Sequence, residues 1–155
     1  MRRAILAALV GSIAALASLA PPALAQPLAL DAQEAVVGLS IRGTHRVYPM
    51  SLFSDRQVVN DVVGGMEVAV FHDSKRGLSA AWFRMILGEP IEFSRLAIGT
   101  VAEDLTTVTR WDLESGVAVG GNLQGQRLVP LTVTTTSWAG WAATHPNTQV
   151  FRDGR

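Results

Sequence analysis

The sequence predicts an all-β domain over residues 36–155, a small antiparallel sandwich or partly open barrel with one short C-terminal helix. Three observations carry this expectation. Turn signals recur about every 8 to 12 residues, the spacing of sandwiches and barrels. Apolar residues alternate over short runs, and long stripes of 3.6-residue period are missing. Glycine is frequent, 14 of 155 residues, and falls where hairpins must reverse.

The elements follow in order. Val36–Ile41 reads as a strand, Arg42-Gly43-Thr44 as its turn, and His45–Tyr48 as the return that Pro49 ends. Gln57–Val63 is a second strand region, and Gly64-Gly65 is a strong hairpin signal. Alternation along Met66–His72 puts Met66, Val68 and Val70 on one face. Asp73–Gly77 is a polar turn and Leu78–Arg84 its partner strand. Gly88-Glu89-Pro90 turns the chain again before Ile91–Leu96. Leu105–Trp111 is expected to pair with Val117–Val119 across Glu114-Ser115-Gly116. Gly120-Gly121-Asn122 and Gly125 bracket short pieces near Leu128 and Val129, and Val133–Thr136 is β-branched and polar. One segment reads as helical: Ser137 caps Trp138–Thr144, with Trp138, Trp141 and Ala142 on one side, and His145-Pro146 stops it. A last strand runs through Val150-Phe151.

Ahead of this domain the pattern changes. Met1-Arg2-Arg3 is positive, Ala4–Ala20 is a charge-free apolar run, Pro21-Pro22 breaks it, and Ala23-Leu24-Ala25 presents small residues. That is the three-part secretory signal, with cleavage expected after Ala25. The apolar run is about 17 residues, at the lower limit for a membrane span, and the proline pair and small-residue site favour cleavage over anchoring. Residues 1–25 are therefore read as signal peptide, 26–35 as a loose leader, and the domain as periplasmic or secreted. Arg2-Arg3 is a weak hint of the twin-arginine route; the general secretory route is the simpler reading.

Composition narrows the function classes. The chain has 13 basic and 13 acidic residues; loss of Arg2 and Arg3 leaves 11 against 13, a charge of −2. Lys75 is the single lysine, and no basic cluster forms the footprint that nucleic-acid binding requires. No apolar stretch after Pro22 is long enough to span a membrane. Cysteine is absent, so the domain is expected to hold together by packing, without disulfides, thiol redox chemistry or thiolate–metal bonds.

The stretch Val36–Phe151 resembles the bacterial family called domain of unknown function 3179. Val37-Gly38-Leu39-Ser40-Ile41, Arg46-Val47-Tyr48-Pro49, Val58-Val59-Asn60-Asp61, Gly64-Gly65 and Val68-Ala69-Val70 come in the family's order. So do Gly116–Gly121, Gly125-Gln126-Arg127-Leu128, Trp138-Ala139-Gly140-Trp141 and His145-Pro146-Asn147-Thr148. Many members carry a Cys-Pro-x-Cys-Gly motif after the Val-Ala-Val strand, sometimes with selenocysteine. Here the segment reads Phe71-His72-Asp73-Ser74-Lys75-Arg76-Gly77, with Asp73 and Arg76 at the two thiol positions. A histidine that many members have just before Val-Val-Asn-Asp is Arg56 here, and the segment between Phe93 and Asp104 is shorter. The resemblance implies a fold more than an activity.

Four residues are the candidate ligand-binding set: Asn60, Asp61, Asp73 and Arg76. Asp73 and Arg76 can pair across their turn, or Arg76 can grip an anion with its two-pronged guanidinium. Asn60 and Asp61 can shape the chain entering the hairpin, and Asp61 could serve as a general base or metal ligand. His45, His72 and His145, with Met50, Met66 and Met85, have donor types that suit copper. No two histidines have metal-site spacing, so they read as surface or capping groups and the methionines as core. No metal ligand set and no cofactor is assigned. Ser51, Ser79 or Ser137 could be matched with a histidine on paper, but no nucleophile elbow exists. No phosphate loop, dinucleotide motif or calcium loop is present. Trp82, Trp111, Trp138 and Trp141 read mainly as core. The expected function is a non-catalytic module that binds a small ligand or a protein. The alternatives are a metal-binding or redox accessory protein, and a hydrolase using Asp61 or Asp73.

Overall fold

A computed structural model describes residues 30–153. The expected signal peptide, residues 1–25, lies outside the described residues, as do residues 26–29 of the leader. The first elements are β1 (Ala35–Ile41), β2 (Thr44–Pro49), a 3-10 turn at Met50–Ser54, β3 (Val58–Val63), β4 (Met66–Asp73) and β5 (Leu78–Phe83). A minimal hairpin follows, β6 (Met85–Ile86) and β7 (Glu89–Pro90). Then come β8 (Phe93–Ile98), β9 (Val101–Asp104), β10 (Thr109–Asp112) and β11 (Val117–Gly121). The chain ends with β12 (Val129–Leu131), β13 (Val133–Ser137), α1 (Trp138–Thr144) and β14 (Gln149–Val150).

The strands form three four-stranded sheets, ordered β13-β1-β2-β14, β12-β5-β4-β3 and β11-β10-β9-β8. The fold is sandwich-like and all-β, with one short helix and no closed barrel among the described residues. The β3–β4–β5 sheet lies in the middle. Its Val59, Val63, Val68 and Val70 pack with Val37, Leu39 and Tyr48 of the first sheet. Its alternate residues Val58, Ala69, Phe71 and Trp82 pack with Phe93, Ala102 and Trp111 of the third. Met66, Val68 and Val70 therefore share one face, as the alternation predicts. β4 is apolar on both faces because both are covered. Only Thr132 separates β12, on the edge of the middle sheet, from β13, on the edge of the first.

The helix is where the sequence places it. The Ser137 hydroxyl accepts a hydrogen bond from the Gly140 N–H, satisfying one of the helix's orphan donors. Trp141 lies on the outer face of the first sheet with Val36 and Val47. Gly38 makes room for it: a Cβ there would sit 2.3 Å from the indole. No helix among the described residues is long and apolar enough to cross a membrane.

Two stretches differ from expectation. Leu105–Val108 is a turn, not the first half of a strand. The cause is Asp104, fully buried, whose carboxylate accepts hydrogen bonds from the Thr107 N–H, the Thr107 hydroxyl and the Trp111 indole N–H. A short acidic side chain bonding backbone three residues on closes a turn in place of a ladder. The segment between Phe93 and Asp104 also forms a hairpin, β8–β9, around Gly99-Thr100, where short alternating runs gave little signal. The last strand, β14, is present and pairs parallel to β2.

Gly38→Ala is expected to destabilise the domain by about 1–3 kcal/mol, the usual cost of forcing an extra methyl into a packed face. Chemical denaturation with an unchanged m-value is the check. No loss of stability would mean that Trp141 is not seated on β1.

Candidate functional site

Each of the four candidate residues has a defined environment. The Asn60 side chain bridges two sheets: its amide nitrogen donates to the Phe93 carbonyl at 2.8 Å, and its amide oxygen accepts from the Phe93 N–H at 3.0 Å. Gln57 does the same one step along. Its backbone N–H donates to the Arg95 carbonyl at 2.8 Å, and its side-chain oxygen accepts from the Ala97 N–H at 3.0 Å. A primary amide has the donor and acceptor of a peptide group. Asn60 and Gln57 therefore stand in for a neighbouring strand along the edge of β8. The expected role for Asn60, shaping its own hairpin, gives way to a contact 33 residues away.

Asp61 faces the first sheet. Its carboxylate accepts from the Tyr48 hydroxyl at 2.9 Å, lies 3.4 Å from the Arg46 guanidinium, and accepts from the Val62 N–H at 2.7 Å. Burial, then the adjacent Asp61 carboxylate, push the Tyr48 phenol well above its ordinary pKa, so it stays a hydrogen-bond donor.

Asp73 and Arg76 form the ion pair that their spacing predicts, Arg76 Nε to Asp73 at 3.7 Å. The other Asp73 oxygen accepts from the Lys75 N–H at 2.9 Å and the Arg76 N–H at 3.4 Å, closing the turn. The Arg76 side chain is 56% exposed. Asp73, Ser74 and Lys75 line one side of a polar recess of about 380 Å³. Phe53, Ser54 and Gln57 line a second side, and Ala97 and Gly99 of the β8–β9 hairpin a third.

The two pairs do not meet. Asp61 stands opposite Val68 on β4, and Asp73 lies five residues further along the same strand. At about 3.4 Å per residue that is about 17 Å. Asn60 lines a different recess, of about 340 Å³, with Arg56, Arg95 and Asp153. There Arg56, 8% exposed, pairs with Asp153 at 2.7 Å and Asp55 at 3.2 Å, and these carboxylates raise its pKa further. Arg56 precedes the start of β3, and Asp73 ends β4, at the same end of this antiparallel pair. Arg56 and the Asp73–Arg76 turn thus each take part in an ion pair at this end of the sheet.

Sequence reasoning missed three features. Gln57 carries no motif, and its role appears only when β8 arrives beside it. The His45 and His145 rings, far apart in sequence, lie in contact with centroids 4.6 Å apart. His72 is buried, with Nδ1 2.9 Å from the Ser79 hydroxyl and its ring against Phe53. Burial lowers its pKa, outweighing the nearby Asp73 charge. A third recess, of about 380 Å³, lies on the third sheet among Leu96, Ile98, Val101 and Ala102, with Glu103 and Arg110 beside them.

The family described as Protein of unknown function (DUF3179) matches residues 17–155, nearly the whole chain, and the protein belongs to it. No curated protein and no solved structure matches the chain.

Asn60→Leu is expected to strand the Phe93 N–H and carbonyl, costing about 1–3 kcal/mol for each group left unpaired. Urea denaturation measures this; a total loss under about 1 kcal/mol would show that the bridge is not needed. His72 adds a pH dependence. Its folded-state pKa lies below that of the unfolded chain, so its contribution is full above about pH 6.5 and is lost as pH falls below that value. Stability should therefore drop on acidification, and the drop should be smaller in His72→Gln. Identical pH profiles for the two proteins would contradict it.

Proposed function

We propose that this protein is an exported, non-catalytic binding module of the periplasm that holds a small anionic ligand over the turn between β4 and β5. The observation that supports this most is the charge and exposure of that turn. Lys75 and Arg76 set two cations against one carboxylate, Asp73, beside a polar recess of about 380 Å³. Arg76 uses Nε toward Asp73, and its Nη atoms carry no protein hydrogen bond among the described residues. One of them approaches the β8–β9 turn, 3.9 Å from where a Gly99 Cβ would stand. A guanidinium in that position offers a fork for a carboxylate or phosphate. The serine hydroxyls of Ser54 and Ser74 add neutral polar groups to the same lining.

Other readings have less support. Asp61, the general base of a hydrolase reading, already accepts from a phenol and a backbone N–H and faces a guanidinium. The Ser79–His72 contact is enclosed, and among the described residues no carboxylate hydrogen-bonds the His72 ring to orient it as a triad requires. Export is supported by the three-part pattern of residues 1–25.

Two measurements test the proposal. In a thermal-shift panel of small carboxylates and phosphates, at least one should raise the melting temperature of the wild-type protein. Arg76→Ala should weaken that ligand about tenfold or more, the scale of a lost charge-assisted hydrogen bond. A response equal in wild type and Arg76→Ala, or none across the panel, would defeat the ligand reading. For export, mass spectrometry of the periplasmic fraction should find a chain beginning at Gln26. An intact Met1 in the membrane fraction would mean an uncleaved anchor.

A further inference from the structure

Two of the three histidines meet on the far side of the molecule from the β4–β5 turn's sheet, where α1 covers the first sheet. His45 projects from β2 and His145 caps the C-terminus of α1; their rings are 4.6 Å apart at 62°. Neither ring is loose. His145 stacks on Trp141 with centroids 3.9 Å apart and planes 11° from parallel. Its Nδ1 lies 3.2 Å from the Trp141 carbonyl and 2.9 Å from the Thr144 hydroxyl. A carbonyl only accepts, and the Thr144 hydroxyl already donates to that same carbonyl at 3.1 Å. The carbonyl beside Nδ1 of His145 favours the tautomer in which Nδ1 donates and the lone pair of the neutral ring is on Nε2. His45 Nδ1 lies 2.8 Å from the Ser40 hydroxyl, a group able to accept as well as donate, so the same tautomer is open to it.

Metal-binding imidazoles elsewhere have Nδ1 held by an oxygen of the protein, as both rings do here, and use Nε2 as the ligand. We infer that His45 and His145 form a two-imidazole site for a divalent transition-metal ion, with Cu²⁺ as its strongest occupant. Distance supports the ion's geometry. With a metal–nitrogen bond of about 2.0 Å, each ring centroid stands about 3.2 Å from the ion. Centroids 4.6 Å apart then subtend about 90° at it. That is the angle between adjacent ligands in the tetragonal geometry of Cu²⁺ and Ni²⁺, and is narrower than a tetrahedral site needs. Among first-row ions Cu²⁺ binds nitrogen ligands most tightly. The remaining positions would be taken by water or by an external ligand. Arg46, next to His45 on β2, is directed to the opposite face of the strand, toward Asp61. Because a ligating imidazole must be neutral, the site weakens as pH falls.

His72 makes the test internally controlled, since it is buried against Phe53 and bonded to Ser79. Cu²⁺ is titrated into the folded protein while the imidazole protons are followed by NMR. The ring signals of His45 and His145 should broaden together at substoichiometric metal, before those of His72. Equilibrium dialysis should give one ion per chain, with affinity reduced at least tenfold in both His45→Ala and His145→Ala. His72→Gln keeps both rings of the pair and should keep binding within a few-fold, which separates loss of a ligand from a general effect of removing an imidazole. The inference is overturned if Cu²⁺ affinity is unchanged in both histidine variants, or if the two rings broaden no earlier than His72.

Discussion

The edge of β8 is held by side-chain amides, and much of the molecule depends on that. The middle sheet is covered on both faces, so it has to engage the third sheet while its other side packs on the first. Gln57 and Asn60 fix the relation between the two by bonding Phe93, Arg95 and Ala97 along the strand edge. The bonds also shield β8, because an edge with unpaired backbone groups invites pairing with another chain. They reach the candidate site as well. Gln57 and Ala97 are bonded to each other and both line the polar recess beside Asp73, so the seam sets the width of that recess.

A second set of contacts, made by the C-terminal segment, adjoins this seam. The Phe151 N–H donates to the Val47 carbonyl, and its ring lies 5.4 Å from that of Tyr48, whose hydroxyl donates to Asp61. Asp153 then reaches Arg56 and Arg95. The C-terminal segment thus touches all three sheets or their flanks. Ion pairs here fix geometry more than they add stability, since desolvation offsets much of the attraction of a buried pair. Two pairs of this kind flank the β3–β4 end of the middle sheet: Arg56 with Asp153, buried, and Arg76 with Asp73, more exposed.

The fold was largely legible in the sequence because its signals are local. Gly64-Gly65 makes a hairpin, Ser137 caps a helix, and Val68 and Val70 alternate with Ala69 and Phe71. That β4 is buried twice was not legible, because periodicity shows that residues face two ways and not what covers each side. Asp104 was hidden for a related reason: its bonds to Thr107 and Trp111 override the strand propensity of the residues between. Of the candidate site, the Asp73–Arg76 pair was readable from a spacing of three. Asn60 was singled out for the right capacity, backbone bonding, but its partner lies on another sheet. Gln57 and the His45–His145 contact join segments remote in sequence, and no pattern in one chain brings those together.

The most direct test of this account is hydrogen exchange at two amides, Phe93 and Ala97. Both belong to a strand with no neighbouring strand on its outer side, yet both donate to side-chain oxygens in this structure. Native-state exchange should find them protected to within about tenfold of the Trp111 amide inside the same sheet, a difference of about 1.4 kcal/mol in opening free energy. Exchange at the rate of an open strand edge, with Trp111 still protected, would contradict the claim that Gln57 and Asn60 join the sheets.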